Sequence, residues 1–205
     1  MEEELLFRIL FVANYALFAS VRIYYRSKTI GRESEKDYTK LDKSAITLSV
    51  GIVGYLISVI IYVILPDLIF WAFIELHSLI RWCGVGIALA ATGLLLTTHR
   101  TLGAQYSVKQ EIQKEHVLIS EGIYNQIRHP MYTSFITFSL AVAIISSNLL
   151  LIIFAIIVAL PFPWMARKEE EMLIEQFGQD YTEYMDRTGR FFPPIRRQKQ
   201  SIVPP

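Results

Sequence analysis

The sequence predicts an all-α, polytopic integral membrane protein with five transmembrane helices and a cytoplasmic C-terminal helical segment. Three observations carry that expectation. Apolar residues make up 53% of the 205 residues and charged residues only 19%, whereas an ordinary soluble domain carries about a quarter. Mean hydropathy is positive, at +0.36. The charges fall in blocks between apolar stretches, each near the roughly 20 residues a helix needs to cross the hydrocarbon core with its backbone paired internally.

The first stretch runs from Leu5 to Tyr25, with Arg8 and Arg22 near its ends, where long cationic chains are expected to snorkel to an interface. Its acidic start, Glu2-Glu3-Glu4, and the lack of a small-residue cleavage site argue for a span rather than a signal peptide. The second stretch, Ser44 to Leu65, is uncharged and stops at Pro66-Asp67. Leu68 to Ser78 is aromatic-rich and carries Glu75 and His77, so it is expected in the interface, with the third span over Leu79 to Thr98. Met131 to Met165 is cut by Ser146-Ser147-Asn148 into halves of about 16 residues, slightly short for one span each. That pattern predicts a tight helical hairpin, with a kink or an early end at Pro161 and Pro163. The chain thus divides into three N-terminal spans (1–98) and a C-terminal region (99–205) where any chemistry is expected.

Charge placement sets the orientation. Loop 26–43 holds six Lys/Arg, loop 99–129 four and the tail from 166 onward seven, while segments 1–4, 66–78 and 146–148 hold none. The positive-inside rule therefore predicts the N-terminus outside and the C-terminus in the cytoplasm. All 19 acidic residues lie outside the five expected spans, which argues against a pump or channel. Lys+Arg (20) and Asp+Glu (19) nearly cancel, so nothing points to a nucleic acid or a strongly acidic partner. A single cysteine, Cys83, allows neither an intramolecular disulfide nor a cysteine-based zinc site, and no metal is expected.

Two cytoplasmic segments carry the polar residues that need explaining. In the first, Gln105 to Tyr132, Pro130 suits the first turn of the fourth span, because its missing N–H would be unpaired there anyway. The N–H groups of Met131, Tyr132 and Thr133, with the helix dipole, then make a seat for a carboxylate or small anion beside Arg128 and His129. An interfacial anchor for Arg128, a helix-end role for His129 and interface packing for Tyr124 and Tyr132 are the plainer alternatives. In the second segment, Arg167 to Tyr184, helical spacing aligns Glu170, Leu173, Phe177, Tyr181 and Tyr184 on one inward stripe, while Glu171 and Glu175 look solvated. Gly178 is expected to end one helix, with a second starting near Asp180. The hairpin brings Arg128-His129 and Glu169-Glu170 to the same end, about 8–10 Å apart between axes. A zwitterionic ligand fits between such opposite charges.

These residues resemble the isoprenylcysteine carboxyl methyltransferase family, and within it the compact prokaryotic members with five spans. The resemblance rests on G-I-Y-N-Q-I-R-H-P-M-Y (122–132), then E-E-E-M-L-I-E-Q-F-G-Q-D-Y-T-E-Y (169–184) after the hairpin, then T-G-R-F-F-P (188–193). L-G-x-x-Y-S (102–107) and H-V-L-I (116–119) add to it, so it covers roughly 99–194. It implies S-adenosylmethionine as cofactor, held here by His116, Val117, Leu118, Ile119, Tyr124, His129, Pro130, Met131, Tyr132 and Glu169, with Glu170 adjacent. An upstream glutamine of the family falls on Gln110 or, with a shift of one, on Lys109. Family members often carry an arginine four residues before the first glutamate of the pair; Met165 stands there in this chain. Either Arg167 takes over from a shifted turn or the acceptor is not a prenylcysteine. Arg128 or Arg167 is expected to orient an acceptor carboxylate drawn from the bilayer on a lipid tail, near Pro161-Phe162-Pro163.

Such a carboxylate is already ionised at pH 7, given an ordinary α-carboxyl pKa of about 3.3–3.7, and needs no general base. The segment offers no Ser-His-Asp or metal constellation, and no G-x-G-x-x-G on a strand, so a soluble nucleotide-binding fold is excluded. Three alternatives remain: a methyltransferase acting on a phospholipid amine, which needs a base; a sterol-type reductase using NADPH; and a non-catalytic membrane scaffold. Oligomeric state stays open, because small residues such as Gly84, Gly86 and Ala90 suit packing within or between subunits.

Overall fold

The computed structural model describes residues 2–28, 43–102 and 118–194, with side chains described from 48 onward in the second of these. Among the described residues seven α-helices follow in order: α1 (Glu2–Ser27), α2 (Lys43–Ile64), α3 (Ser78–Leu102), α4 (Pro130–Ser146), α5 (Leu149–Ala159), α6 (Phe162–Phe177) and α7 (Gln179–Arg187). Short 3-10 turns lie at Pro66–Ala72 and Gly122–Asn125. Among the described residues there is no β-strand, only isolated bridges.

Among the described residues three helical stretches are long and apolar enough to cross a membrane: Glu2–Ser27, Ser78–Leu102 and Leu149–Phe177. A fourth follows if Leu48–Ile64 and Pro66–Ala72, bent by 112° across Leu65, count as one span. The bend lays the aromatic 66–72 segment across the end of α2, as an interfacial segment should lie. Helix α4 has 17 residues and rises only about 25 Å, short of the roughly 30 Å hydrocarbon core. The chain is thus an integral membrane protein, in which the first arm of the hairpin is short, as its sequence foretold, and the second, Leu149–Phe177, is not.

Two expectations change. The first helix begins at Glu2 rather than Leu5, because Glu4 pairs with the buried Arg81 of α3 and Glu3 accepts from the Ser78 hydroxyl. Arg81 Nε also donates to the Ile145 carbonyl at 2.9 Å, so this cation ties α1, α3 and α4 together. At Pro161 the chain does not break. Leu160 and Pro161 keep right-handed helical dihedral angles, and the N–H groups of Trp164 and Met165 both reach the Pro161 carbonyl. A proline in the first turn of α6 gives up no needed donor, so α5 and α6 run on as one rod of 29 residues that carries Glu169 and Glu170 beyond the bundle.

Packing follows residue size. Buried Gly84, Ala88 and Ala91 give α3 a thin face on which α4 sets Ala141, Val142 and Ile145. A Cβ at Gly84 would stand 3.1 Å from the Ala141 carbonyl, so a larger residue there would push α4 back by a few tenths of an ångström. Gly84 therefore serves internal packing, while Gly86 and Ala90 face outward. The hairpin turns at Ser147, in the left-handed region with φ 49°. Asn148 caps α5 by accepting from the N–H groups of Leu150 and Leu151 at 3.1 and 3.3 Å. On one side of α4, Phe18 of α1 stacks on Phe138, with ring centres 3.9 Å apart.

Candidate functional site

The site grows from the start of α4. His129 is the residue before Pro130, and its carbonyl accepts the first helical hydrogen bond, from the Thr133 N–H at 3.1 Å. The Thr133 N–H is therefore not free, a correction to the three donors expected. Only Met131 and Tyr132 precede the first closed turn.

A second strand of chain holds this corner. Gly189 and Arg190 lie alongside residues 126–129: the Arg128 N–H donates to the Gly189 carbonyl at 2.8 Å and the His129 N–H to the Arg190 carbonyl at 3.0 Å. In return the Gly189 N–H donates to the Gln126 carbonyl at 3.0 Å. A Cβ at Gly189 would collide with the Phe192 carbonyl, so only glycine permits this turn. The Thr133 hydroxyl donates to the Phe191 carbonyl at 3.0 Å, and the Tyr184 hydroxyl to the Tyr124 carbonyl at 2.7 Å.

At the centre stands Glu170, 3% exposed. Its carboxylate accepts from Arg128 Nε at 2.9 Å and Arg190 Nε at 3.0 Å, and lies 3.3 Å from His129 Nε2. Arg128 spends a further nitrogen on the carbonyls of Met185 (3.0 Å) and Thr188. Of the expected inward stripe Glu170, Tyr181 and Tyr184 are buried and Leu173 and Phe177 half-buried, the stripe being divided between α6 and α7 at Gly178, while Glu171 and Glu175 are exposed.

Glu169 does something else. It is one-third exposed, its Oε2 lies 3.4 Å from His129 Nδ1, and it faces a cavity of about 790 Å³. Of the expected residues, Tyr124, Arg128, His129, Pro130, Met131, Tyr132 and Glu169 all line that one cavity. Glu170, expected beside the cofactor, is not among its walls; its oxygens are committed to the cations behind it. Arg167 is exposed and also outside the cavity. Met165 and Glu169 line it one turn apart, and Arg167 lies two residues from each, about 200° around the helix. Leu118 and Ile119 are half-buried and are not among the described walls, and Gln110, His116 and Val117 lie outside the described residues.

Sequence reasoning missed three features. Arg190 joins Glu170, although its motif, TGRFFP, was visible. Arg22 of α1, half-buried, lines the cavity. The far wall is aromatic and reaches down the bundle through Phe18, Tyr55, Phe135, Phe138 and Phe162. No local signal marks such a wall, because its rings come from four different helices.

The electrostatics separate the two carboxylates. Burial works against a charge on His129, but hydrogen bonds to Glu169 and Glu170, and their charges, outweigh it and hold the imidazole pKa above its ordinary 6.5. The imidazolium therefore contributes stability that is fully present below about pH 6.5 and is lost as pH rises through its higher folded-state value. Thermal unfolding of the wild type should thus move down on going from neutral to alkaline pH, more than that of His129→Gln; parallel pH curves would show that His129 carries no such charge. Burial, aided by the Glu169 charge, pushes the Tyr124 phenol far above its usual range, so it stays a neutral donor.

The comparisons with known proteins agree with this arrangement. The phospholipid methyltransferase family profile matches residues 79–180. Protein-S-isoprenylcysteine O-methyltransferase B of Arabidopsis thaliana is 27% identical over 181 residues, which cover 86% of this chain and 91% of that protein. The protein-S-isoprenylcysteine O-methyltransferase of Saccharomyces cerevisiae is 34% identical over 96 residues, 45% of this chain and 40% of that one. The Homo sapiens protein of that name is 29% identical over 140 residues, 65% and 48% respectively. The match thus spans less than half the length of the yeast and human relatives. The solved structure of a eukaryotic intramembrane Ras methyltransferase, an isoprenylcysteine carboxyl methyltransferase, shares the fold at a TM-score of 0.53 and 23% identity, over 90% of this chain and 67% of that one. The shared fold and these relatives make the chain similar to the isoprenylcysteine carboxyl methyltransferases.

Proposed function

We propose that this chain is an integral-membrane methyltransferase that moves a methyl group from S-adenosylmethionine to the carboxylate of a lipid-linked, prenylcysteine-like acceptor. The observation that carries the reading is the single cavity. One end holds Glu169, His129 and the start of α4, and the rest is walled by aromatic rings between membrane helices. A zwitterionic donor and a lipid acceptor need those two halves in contact. A volume of about 790 Å³ lies within the roughly 300–1,000 Å³ of small-molecule sites.

The residues fit the donor. Glu169 offers a cavity-facing carboxylate for its ammonium, and the N–H groups of Met131 and Tyr132 at the α4 start suit its carboxylate. Tyr124 and His129 complete the polar end, while Gln110, His116, Val117, Leu118 and Ile119 remain proposed contacts from the preceding loop. When bound, S-adenosylmethionine supplies a methyl group on a cationic sulfur that departs as a neutral thioether. The protein's part is to hold the acceptor oxygen in line and exclude water. Positioning of that kind can supply about 7–11 kcal/mol of barrier reduction. No residue has to remove a proton from an ionised carboxylate. The Phe162 turn at Pro161-Phe162-Pro163 forms part of the wall by which a lipid tail would reach the cavity.

For the membrane arrangement we propose five crossings, α4 and the α5–α6 rod forming the last two, with the N-terminus outside and the site and C-terminus cytoplasmic. Residues 1–98 then frame the lipid side and 99–205 carry the chemistry.

Thermal unfolding of the purified protein tests the cofactor. S-adenosylhomocysteine at 100 times its Kd should add about 2.7 kcal/mol of stability, and NADPH should add none; the reverse pattern would make the protein a reductase. Labelled methyl transfer into a membrane lipid extract then identifies the acceptor. Because the matching profile is that of phospholipid methyltransferases, an amine acceptor is the second reading. It predicts a rate that climbs toward the amine pKa, whereas a carboxylate acceptor predicts none of that climb.

A further inference from the structure

We infer that a second cavity, around Arg8 at the far end of the bundle, holds a zwitterionic phosphate–ammonium head of the kind phosphatidylethanolamine carries. The inference is independent of the methyltransferase reading.

This cavity, of about 510 Å³, is lined by Arg8 of α1, Arg81 of α3 and the carboxylates Glu3, Glu4, Asp67 and Glu75. It lies well away from the candidate functional site. Arg81 bonds to the Ile145 carbonyl in the last turn of α4, whereas the charged corner surrounds the first turn. The 17 residues of that helix put about 25 Å between the two.

The charges on this wall do not simply neutralise one another. Arg81 is held by Glu4, and Glu3 accepts from the Ser78 hydroxyl. Arg8, Asp67 and Glu75 form no ion pair among the described residues, although all three line the one cavity. The neighbour of Arg8 is a neutral ring: its Cζ stands 5.7 Å from the ring centre of the fully buried Tyr62. Arg8 Nε is itself buried and has no hydrogen-bond partner among the described residues. An interfacial anchor reaches outward to water. Arg8 is half-buried and lies over a core ring at the edge of a cavity.

A cation and two carboxylates, unpaired around a common space, suit a ligand that carries both signs. The guanidinium meets phosphate oxygens through its planar fork, and Asp67 or Glu75 receives the ammonium. A plain anion is disfavoured, because four carboxylates face two arginines on this wall. A metal ion is disfavoured as well, since among the described residues no three acidic, histidine or cysteine side chains are grouped to hold one. The surroundings favour a lipid as the bearer of the head. Phe70 lines the cavity, and Leu68, Phe70 and Trp71, with Leu5 and Ile9 of α1, are exposed and apolar, as a surface against acyl chains is.

Delipidated full-length protein in a non-ionic detergent tests this by thermal unfolding against rising ligand concentration. Dioctanoylphosphatidylethanolamine should raise the midpoint saturably. It should bind about tenfold more tightly than dioctanoylphosphatidylglycerol, which has the phosphate but no ammonium. Free phosphoethanolamine separates the sources: weaker binding assigns the site to a lipid and equal binding to a soluble head, and either supports the recognition chemistry. Arg8→Gln should weaken binding of the ethanolamine lipid about ten- to a hundredfold. Asp67→Asn combined with Glu75→Gln should bring the two lipids within about threefold of each other. Unfolding without lipid checks the fold of each variant. If Arg8→Gln fails that check, the double variant, at two exposed positions, carries the test. No saturable shift in the wild type, equal binding of the two lipids by it, wild-type affinity in Arg8→Gln, or an undiminished preference in the double variant overturns the inference.

Discussion

Glu170→Ala is expected to cost about 3–5 kcal/mol of stability, the range for removing one partner of a buried ion pair. Three cations converge on this carboxylate, and it is 3% exposed. Removing it leaves Arg128, with 9% of its side chain exposed, without its counter-charge in a region where water cannot easily replace it. The same step unties three parts of the chain: the 126–129 segment that carries Arg128 and His129, the helix α6, and the returning segment at Arg190. Glu170→Gln should cost less, because an amide oxygen still accepts from Arg128, though not with a full charge. Glu171→Ala, one residue on and exposed, should stay within about 0.5 kcal/mol. Denaturant or thermal unfolding of the three variants in the same detergent measures the series. Equal losses at 170 and 171 would remove Glu170 from its structural role.

The neighbouring carboxylate should behave in the opposite way. Glu169→Gln is expected to weaken S-adenosylhomocysteine binding about ten- to a hundredfold, the worth of a charge-assisted hydrogen bond of about 1.5–3 kcal/mol, with little change in unfolding. Glu169 is about one-third exposed (34% of its side chain), and its ionic contact among the described residues is with His129 at 3.4 Å, so the fold depends on it weakly. Its other face is open to the cavity. Isothermal titration of wild type and variant decides the matter, and an affinity within twofold of wild type would remove Glu169 from the cofactor site. Adjacent glutamates would then be read by two different instruments: one in the melting curve, the other in the binding curve.

A good part of this was legible beforehand. Ser146-Ser147-Asn148 marks a hairpin because Asn148 caps a helix and Ser147 accepts a left-handed backbone, both local properties. Pro130 marks a helix start for a similar reason. The spacing of Tyr181 with Tyr184 places both on one buried face of α7 because a helix has a fixed period, whereas Glu170 lies on α6, before the break at Gly178. Charge blocks between apolar stretches announce a membrane protein, since hydrocarbon rejects charge and unpaired backbone alike.

What the sequence by itself determined is therefore what depends on near neighbours: helices, caps, the hairpin, and which face of each helix turns inward. Only the tertiary structure decided which of two adjacent glutamates is locked and which is open. That choice is made by Arg190, twenty residues away along the chain from Glu170, and by Arg128, forty-two away. It likewise set Arg22 in the wall of the cavity and left Arg167 exposed outside it. Periodicity gives a side chain's direction around its own helix axis, but the partner it meets depends on where the other helices stand.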